Sequence, residues 1–310
     1  MDMNTIAITG ANGQLGTSLL SRLADGSHQN VRALVRSDRA LKKIESLELQ
    51  PAPDIRVVDY ASRSKMTEAL EGVSCVVHLV GIIKEGAEAR YVDSHEGTCE
   101  VLAAAATAVG VQRIVYLSIL GSSPEAANAC LLSKGMAERI LLESEVPTAV
   151  IRVPMVVGGD DPASASLRRQ AQSKSVRLIG GGATLQQPID SRDVVTAVLA
   201  AASLKSSENL DLDVGGPECL SHRDLVLRSA KLWGNEPQIR SLPESLARLA
   251  VRILEKFHPN PPVTHAMFDI LQHDDQTDPG IVLAKLGVEL TPLNQTLADY
   301  IGPGGQSTHE

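Results

Sequence analysis

The sequence predicts an α/β protein doubly wound around a parallel sheet, with a smaller helix-rich lobe towards its C-terminal end. Three observations predict it. A short apolar run ending at Thr9 leads directly into Gly10, Gly13 and Gly16 and then into an amphipathic stretch from Leu15 to Ala24. Further apolar bursts recur at Val31–Val35, Ile55–Val58, Cys75–Leu79, Arg113–Leu117 and Ala149–Val153, separated by helical patterns, and their Val, Ile and Leu content suits strands covered on both faces. Past Val153 that rhythm loosens into glycine loops at 158–162 and 180–182, and from about Ser203 the chain turns helix-rich with proline punctuation.

The glycine stretch is a strand-to-helix turn in G-x-x-G-x-x-G spacing. Gly10 permits the tight turn, Gly13 lets phosphates approach the backbone, and Gly16 brings helix and strand close, while the helix N-terminus offers free N–H groups to a pyrophosphate. Gly10, Asn12, Gly13, Gln14, Leu15 and Gly16 are therefore candidate binding residues of a dinucleotide, or Rossmann, turn. No Gly-Lys-Ser/Thr follows, which disfavours a nucleoside triphosphate loop. The second strand ends at Arg36 rather than at an acid. A carboxylate there would bond the ribose 2′-OH of NAD, whereas a guanidinium suits a 2′-phosphate, so the reading is NADP(H) over NAD(H). Asp38, beside Ser37, is expected to cap the next helix.

The chain has 310 residues, enough for a substantial core, and its net charge of −8 argues against nucleic acid as a bulk partner. Cys75, Cys99, Cys130 and Cys219 stand far apart without a C-x-x-C pair, as expected of reduced thiols in a cytosol rather than of a zinc site or a disulfide framework. Because the first strand begins almost at once, no signal peptide is expected, and no apolar run approaches the roughly 18 residues of a membrane span. The expected organisation is a dinucleotide-binding core over 1–157 with returns to the sheet around 176–214, a lobe over 158–302, and a flexible tail over 303–310. The stretch from Glu96 to Ala108, with its alanine run, reads as a helix packed close on the sheet. His78 reads as a core histidine and His95 as a lone residue at a helix start; no spacing suggests a metal. Asp160 and Asp161 read as a solvated loop, Asp190 and Asp193 as the start of a helix, with Asp193 structuring a pocket wall.

Taken together, Thr9 to Gly16, Ala33 to Arg36, Val58-Asp59, His78 to Gly81, Val115 to Ser118, Ser133 to Glu138 and Arg152 to Gly158 resemble an extended or atypical short-chain dehydrogenase/reductase. Within that superfamily His95 to Thr98, Gln187 to Val194 and Val214 to Leu225 are similar to the nucleotide-binding accessory subunit of respiratory complex I and its bacterial relatives. The resemblance implies that Asp59, with Tyr60 beside it, meets the adenine. Leu79, Val80 and Gly81 then line the adenosine ribose and phosphates, Lys134 holds the nicotinamide ribose, and Pro154, Met155 and Val156 pack on the carboxamide side. Ser118 lies near the bound cofactor.

Active relatives carry a Tyr four residues before that Lys as their proton donor. This chain has Cys130, and none of Tyr60, Tyr91, Tyr116 and Tyr300 has a Lys four positions on. A thiol beside Lys134 is a conceivable substitute but reaches less far than a phenol, and a small buried side chain is the other reading of Cys130. Ser118, Ser122 and Ser123 are all candidates for orienting a carbonyl. Leu242, Leu246, Leu249, Ala250, Ile253 and Phe257 recur at helical spacing, with Arg248, Arg252 and Lys256 as a basic stripe. That pattern reads either as a lobe helix with a solvated face or as a docking surface for anionic lipid or a membrane-bound complex. Two functions follow: a nucleotide-binding accessory, assembly or regulatory protein with weak or no catalysis, or an NADP(H)-dependent oxidoreductase on a small carbonyl, sugar-nucleotide or quinone-like substrate. The expected location is cytoplasmic, peripheral to a membrane if the helix docks.

Overall fold

The structure is a computed structural model and describes residues 5–26, 30–86, 89–159, 161–258 and 261–305. Asp160 and the last five residues of the expected tail lie outside the described residues. The chain forms two compact units: residues 1–152 with 195–212, and residues 153–194 with 213–310.

The first unit carries a seven-stranded sheet. Its strands are β1 (Thr5–Thr9), β2 (Val31–Val35), β3 (Asp54–Val57), β4 (Val73–His78), β5 (Arg113–Ile119), β6 (Thr148–Val153) and, returning late, a strand at Leu210–Asp213. In sheet order they run late strand, β6, β5, β4, β1, β2, β3, with every pairing from β3 across to β5 parallel. Strand order reverses between β1 and β4, the switch point outside whose carboxyl ends ligands bind in such sheets.

Helices cover both faces. Helix α1 (Gln14–Asp25) buries Gly16, Leu19, Leu20 and Leu23, the i, i+3, i+4, i+7 stripe of a helix with one covered side. Beyond it come α2 (Asp38–Glu45), α3 (Arg63–Ala69), α4 (Thr98–Val109) and α5 (Ala129–Leu142). The alanine run packs as expected: Ala105 and Ala106 are buried with Leu102 and Cys99 in a cluster that includes Met66 of α3, Leu70 at its C-cap, and Val76, Ile114 and Tyr116 of the sheet. A π-helical turn at Asp93–Gly97 precedes α4, so the α-helix begins two residues later than the sequence pattern suggests. Ser37, not Asp38, caps α2: its hydroxyl accepts from Ala40 N at 3.3 Å, and Asp38 is the first helical residue.

The second unit is built from short pieces. Strand β7 (Val156–Val157) is followed by α6 (Pro162–Gln172), β8 (Ser175–Ile179), β9 (Leu185–Gln186) and β10 (Ile189–Asp190). Helix α7 (Ser191–Ala202) begins in this unit, and the late strand of the sheet, β11, follows it. Then come β12 (Leu220–Ser221), α8 (His222–Lys231), β13 (Gln238–Leu242), α9 (Glu244–Phe257), α10 (His265–Leu271), α11 (Gly280–Leu286) and α12 (Leu293–Tyr300). The strands pair two by two, β7 with β10, β9 with β12, and β8 with β13. Of the expected returns around 176–214, only β11 joins the large sheet; Val176 to Leu178 pair instead with Ile239 to Ser241.

Two sequence expectations are corrected here. Asp161 is not solvated: it is buried, caps α6 by accepting from Ser164 N at 2.8 Å, and accepts Gly158 N at 3.0 Å. The repeating apolar stripe Leu246, Leu249, Ala250, Ile253 and Phe257 does not form the packed side of α9. Ala247 and Val251 are buried, whereas Leu246, Leu249 and Ile253 are more than half exposed.

Candidate functional site

The site begins where β1 stops. Gly10 has φ +68°, a left-handed turn that a Cβ would strain, and such a Cβ would also meet Leu79 C and O at 3.2 Å. Gly13 N donates to Gly10 O at 2.9 Å, and Gly13 stands at the N-cap of α1 with no side-chain cap. A Cβ at Gly16 would lie 2.6 Å from Gly10 O, so only glycine lets α1 start this close to the strand end. The turn thus keeps a bare backbone and a helix N-terminus at its tip, and Gly13 is exposed. Asn12, Gln14 and Leu15 are half-buried around it.

Tyr60 fastens this turn to the neighbouring strand. Its phenol accepts from Gly10 N at 3.0 Å and donates to Leu34 O at 2.6 Å. Burial pushes that phenol up to about 12, so it stays a neutral donor. Arg36 follows β2, exposed and close enough to act electrostatically on Tyr60. Asp59 is exposed and accepts Ala61 N at 3.0 Å.

Beyond β4, Leu79 N donates to Thr9 O at 3.3 Å, and Val80 and Gly81 follow. A Cβ at Gly81 would sit 3.0 Å from Lys134 Nζ and 3.5 Å from His95 Nε2, so this glycine leaves just enough space for both side chains. Lys134 is buried on α5, whose start is fixed by Asn128 accepting from Cys130 N and Leu131 N. Its ammonium donates to Leu117 O at 3.0 Å and lies 4.5 Å over the Tyr116 ring. Burial lowers its pKa, against the opposing pull of Cys99, Cys130 and Glu138.

Cys130 is fully buried, with Sγ 3.6 Å from Ile82 O as donor. Burial pushes the thiol up to about 11 although Lys134 pulls it down, which leaves a protonated, weakly acidic sulfur at neutral pH. Of the three candidate serines, Ser118 and Ser122 are buried together at 3.3 Å, while Ser123 bonds Glu125 at 2.6 Å. Ser118 also reaches Glu138, which pairs with Arg152 through contacts of 2.6–3.1 Å; Arg152 in turn meets Asp211 at 2.6 Å. This chain of charges ties α5 to β6 and β11 and holds the helix that carries Lys134.

Sequence reasoning missed Tyr91 and gave His95 no role. Tyr91 donates to Ile83 O at 2.8 Å, stacks on His95 at 5.6 Å and lies within hydrogen-bonding reach of the Cys130 sulfur. His95 is buried in the π-helical turn with Nε2 3.1 Å from both N and O of Ile82. Burial, with Lys134 nearby, lowers it to about 4 and lowers His78, bonded to Thr9 Oγ1 at 2.7 Å, to about 3. Only the aromatic at Tyr91 and the histidine four residues on signalled this stack.

In the second unit, Pro154, Met155 and Val156 lie around the start of β7, with Met155 packed on that unit's own core. The Gln187 to Val194 stretch is a structural clamp. Gln187 bonds Gly216 O and both N and O of Thr277, Asp190 bonds Arg192 and Thr296, and Asp193 accepts from N and Oγ1 of Thr291 at 2.7 and 2.8 Å.

A glycine turn, a switch-point sheet and a buried Lys on α5 define the atypical short-chain dehydrogenase/reductase class. The profile of a family described as NAD(P)H-binding matches residues 10–203, well over half of the chain, and the chain belongs to that family. It is 29% identical to a 4-hydroxy-2-methyl-3-oxo-4-farnesyl-3,4-dihydroquinoline-1-oxide ketoreductase of Stigmatella aurantiaca, across 98% of this chain and 92% of that protein. It is 26% identical to the mitochondrial NADH dehydrogenase [ubiquinone] 1 alpha subcomplex subunit 9 of Arabidopsis thaliana, across 78% of this chain and 61% of that subunit. The UDP-glucuronic acid 4-epimerase of Bacillus cereus, solved with UDP-glucuronic acid and NAD, has the same fold at TM-score 0.72 and 17% identity, covering 94% of this chain and 96% of that one.

Proposed function

We propose that this chain holds NADP(H) and serves as an accessory, assembly or regulatory protein, with weak or no catalysis of its own. One observation carries the reading: the bare backbone turn, whose Gly16 tolerates no Cβ, stands in the same unit as a buried, high-pKa Cys130 at the position where the family resemblance implies a proton-donating Tyr. In this reading Gly10, Asn12, Gly13, Gln14, Leu15 and Gly16 present the pyrophosphate site, Arg36 meets a 2′-phosphate, and Asp59 meets the adenine. Leu79, Val80 and Gly81 border the ribose, Lys134 bonds the nicotinamide ribose beside Ser118, and Pro154, Met155 and Val156 contact the carboxamide. Tyr60 supports the turn instead of touching the nucleotide. The 242–257 stretch is the surface through which the protein meets a membrane or a membrane-bound partner, which makes it peripheral to a membrane.

The second reading is a working NADP(H)-dependent oxidoreductase on a carbonyl or quinone-like substrate, favoured by the ketoreductase relative that aligns with nearly the whole chain. Bound NADPH would supply the hydride; Lys134 would orient the nucleotide, and water would supply the proton that Cys130 holds too tightly. A turnover assay with NADPH against carbonyls and quinones separates the two. The accessory reading expects nucleotide binding with rates far below the ordinary range of about 1–1000 per second. Turnover in that range, lost in Lys134→Ala and kept in Cys130→Ala, establishes the enzyme instead.

A further inference from the structure

We infer that the exposed face of α9 docks on an anionic lipid bilayer, with the helix lying in the membrane interface. Leu246, Leu249, Ala250, Ile253 and Phe257 recur at i, i+3, i+4, i+7 and i+11, so they share one side of the helix. That side is turned away from Ala247 and Val251, which are buried with Phe268 and flanked by Leu242 and Val263. Leu246 is 55% exposed, Leu249 53%, Ile253 51% and Phe257 76%. The chain has only two phenylalanines, and Phe257 is the most exposed large apolar side chain among the described residues.

Charge identifies the occupant. Arg248 is already engaged by Glu244 at 2.9 Å and Asp269 at 2.6 Å, and Glu255 receives His265. Arg252 and Lys256, one turn apart and exposed along one border of the apolar strip, have no ion pair among the described residues. An apolar strip bordered by unpaired cations suits acyl chains below and lipid phosphates beside them, with the long cationic side chains reaching up to the headgroups. A second copy suits it less. A 14-residue helix is about 21 Å long and offers a strip of a few hundred Å², short of the ~800 Å² per partner in stable interfaces.

The inference rests on the accessory reading for its purpose, and its test is independent of the nucleotide. The full chain is floated with phosphatidylcholine vesicles, with and without phosphatidylglycerol. Recovery should rise with phosphatidylglycerol and fall with salt. Leu249→Ser/Ile253→Ser/Phe257→Ser, all exposed and so tolerated by the fold, should lower partitioning by at least about tenfold. Arg252→Glu/Lys256→Glu should remove the preference for phosphatidylglycerol. NADPH titration should be unchanged in both variants. Absence of lipid-dependent recovery, equal recovery of the serine variant, or a dimer in light scattering that the serine variant dissolves would each overturn the inference. Flotation without nucleotide binding would sink the accessory reading and leave the docking surface standing.

Discussion

His78 and His95 are two imidazoles kept neutral in one unit, and they make the fold acid-sensitive in a calculable way. Each titrates near 6.5 in an unfolded chain and at about 3 and about 4 in the folded one. Between those values the unfolded state binds more protons, so stability falls as pH drops below 6.5 and the loss continues to the folded pKa. From pH 7 to 5 the pair should cost about 4 kcal/mol, measurable in urea midpoints. His95→Gln and His78→Gln should each flatten that slope by roughly half. At the same scale, Gly16→Ala should weaken NADPH binding and lower stability together, because a Cβ there collides with Gly10 O and Ala11 O, a clash between backbone segments that no rotamer relieves. Thermal melts with and without NADPH check both effects. Gly16 was legible from spacing alone. Tyr60 as a staple was not, since a phenol bonded to Gly10 N and Leu34 O joins residues far apart in sequence.

Elements were legible where burial has a period. Strands β1, β2, β4, β5 and β6 announced themselves through runs of buried apolar residues, with charge confined to single positions such as Arg32, Arg113 and Arg152. The edge strand β3, which carries Asp54 and Arg56, showed only a short apolar run, and α1 was legible because its covered stripe repeats every three or four residues. Ends were harder: Ser37 and Asp38 are both acceptable caps, and only the turn geometry selects Ser37. Ser37→Ala should therefore cost about 1 kcal/mol and Asp38→Ala less, by chemical denaturation. Helix α9 shows the opposite limit. Its periodicity specifies an apolar side but not whether that side meets protein or solvent, and the structure turns it outward. Asp161 misled for a related reason, because a cap buried beneath Gly158 has the same sequence as a solvated loop. Strand β8 escaped detection as a local pair because its partner lies about sixty residues on.

At the scale of the whole molecule, the first unit holds both the bare glycine turn after β1 and the buried Lys134 of α5, with Cys130 of the same helix buried and donating to Ile82 O after β4. The motif at Gln187 to Val194, which marked the subgroup in the sequence, holds the later segments of the second unit together through Gln187, Asp190 and Asp193. Among the described residues no helix is long and apolar enough to cross a membrane. The claim on which the rest depends is that this turn grips a phosphorylated pyridine nucleotide, and calorimetric titration of the purified protein with NADPH and NADH tests it most directly. Saturable binding of NADPH, weakened about tenfold or more by Arg36→Ala while NADH is little changed, is the predicted result. No saturable binding of either nucleotide would contradict it.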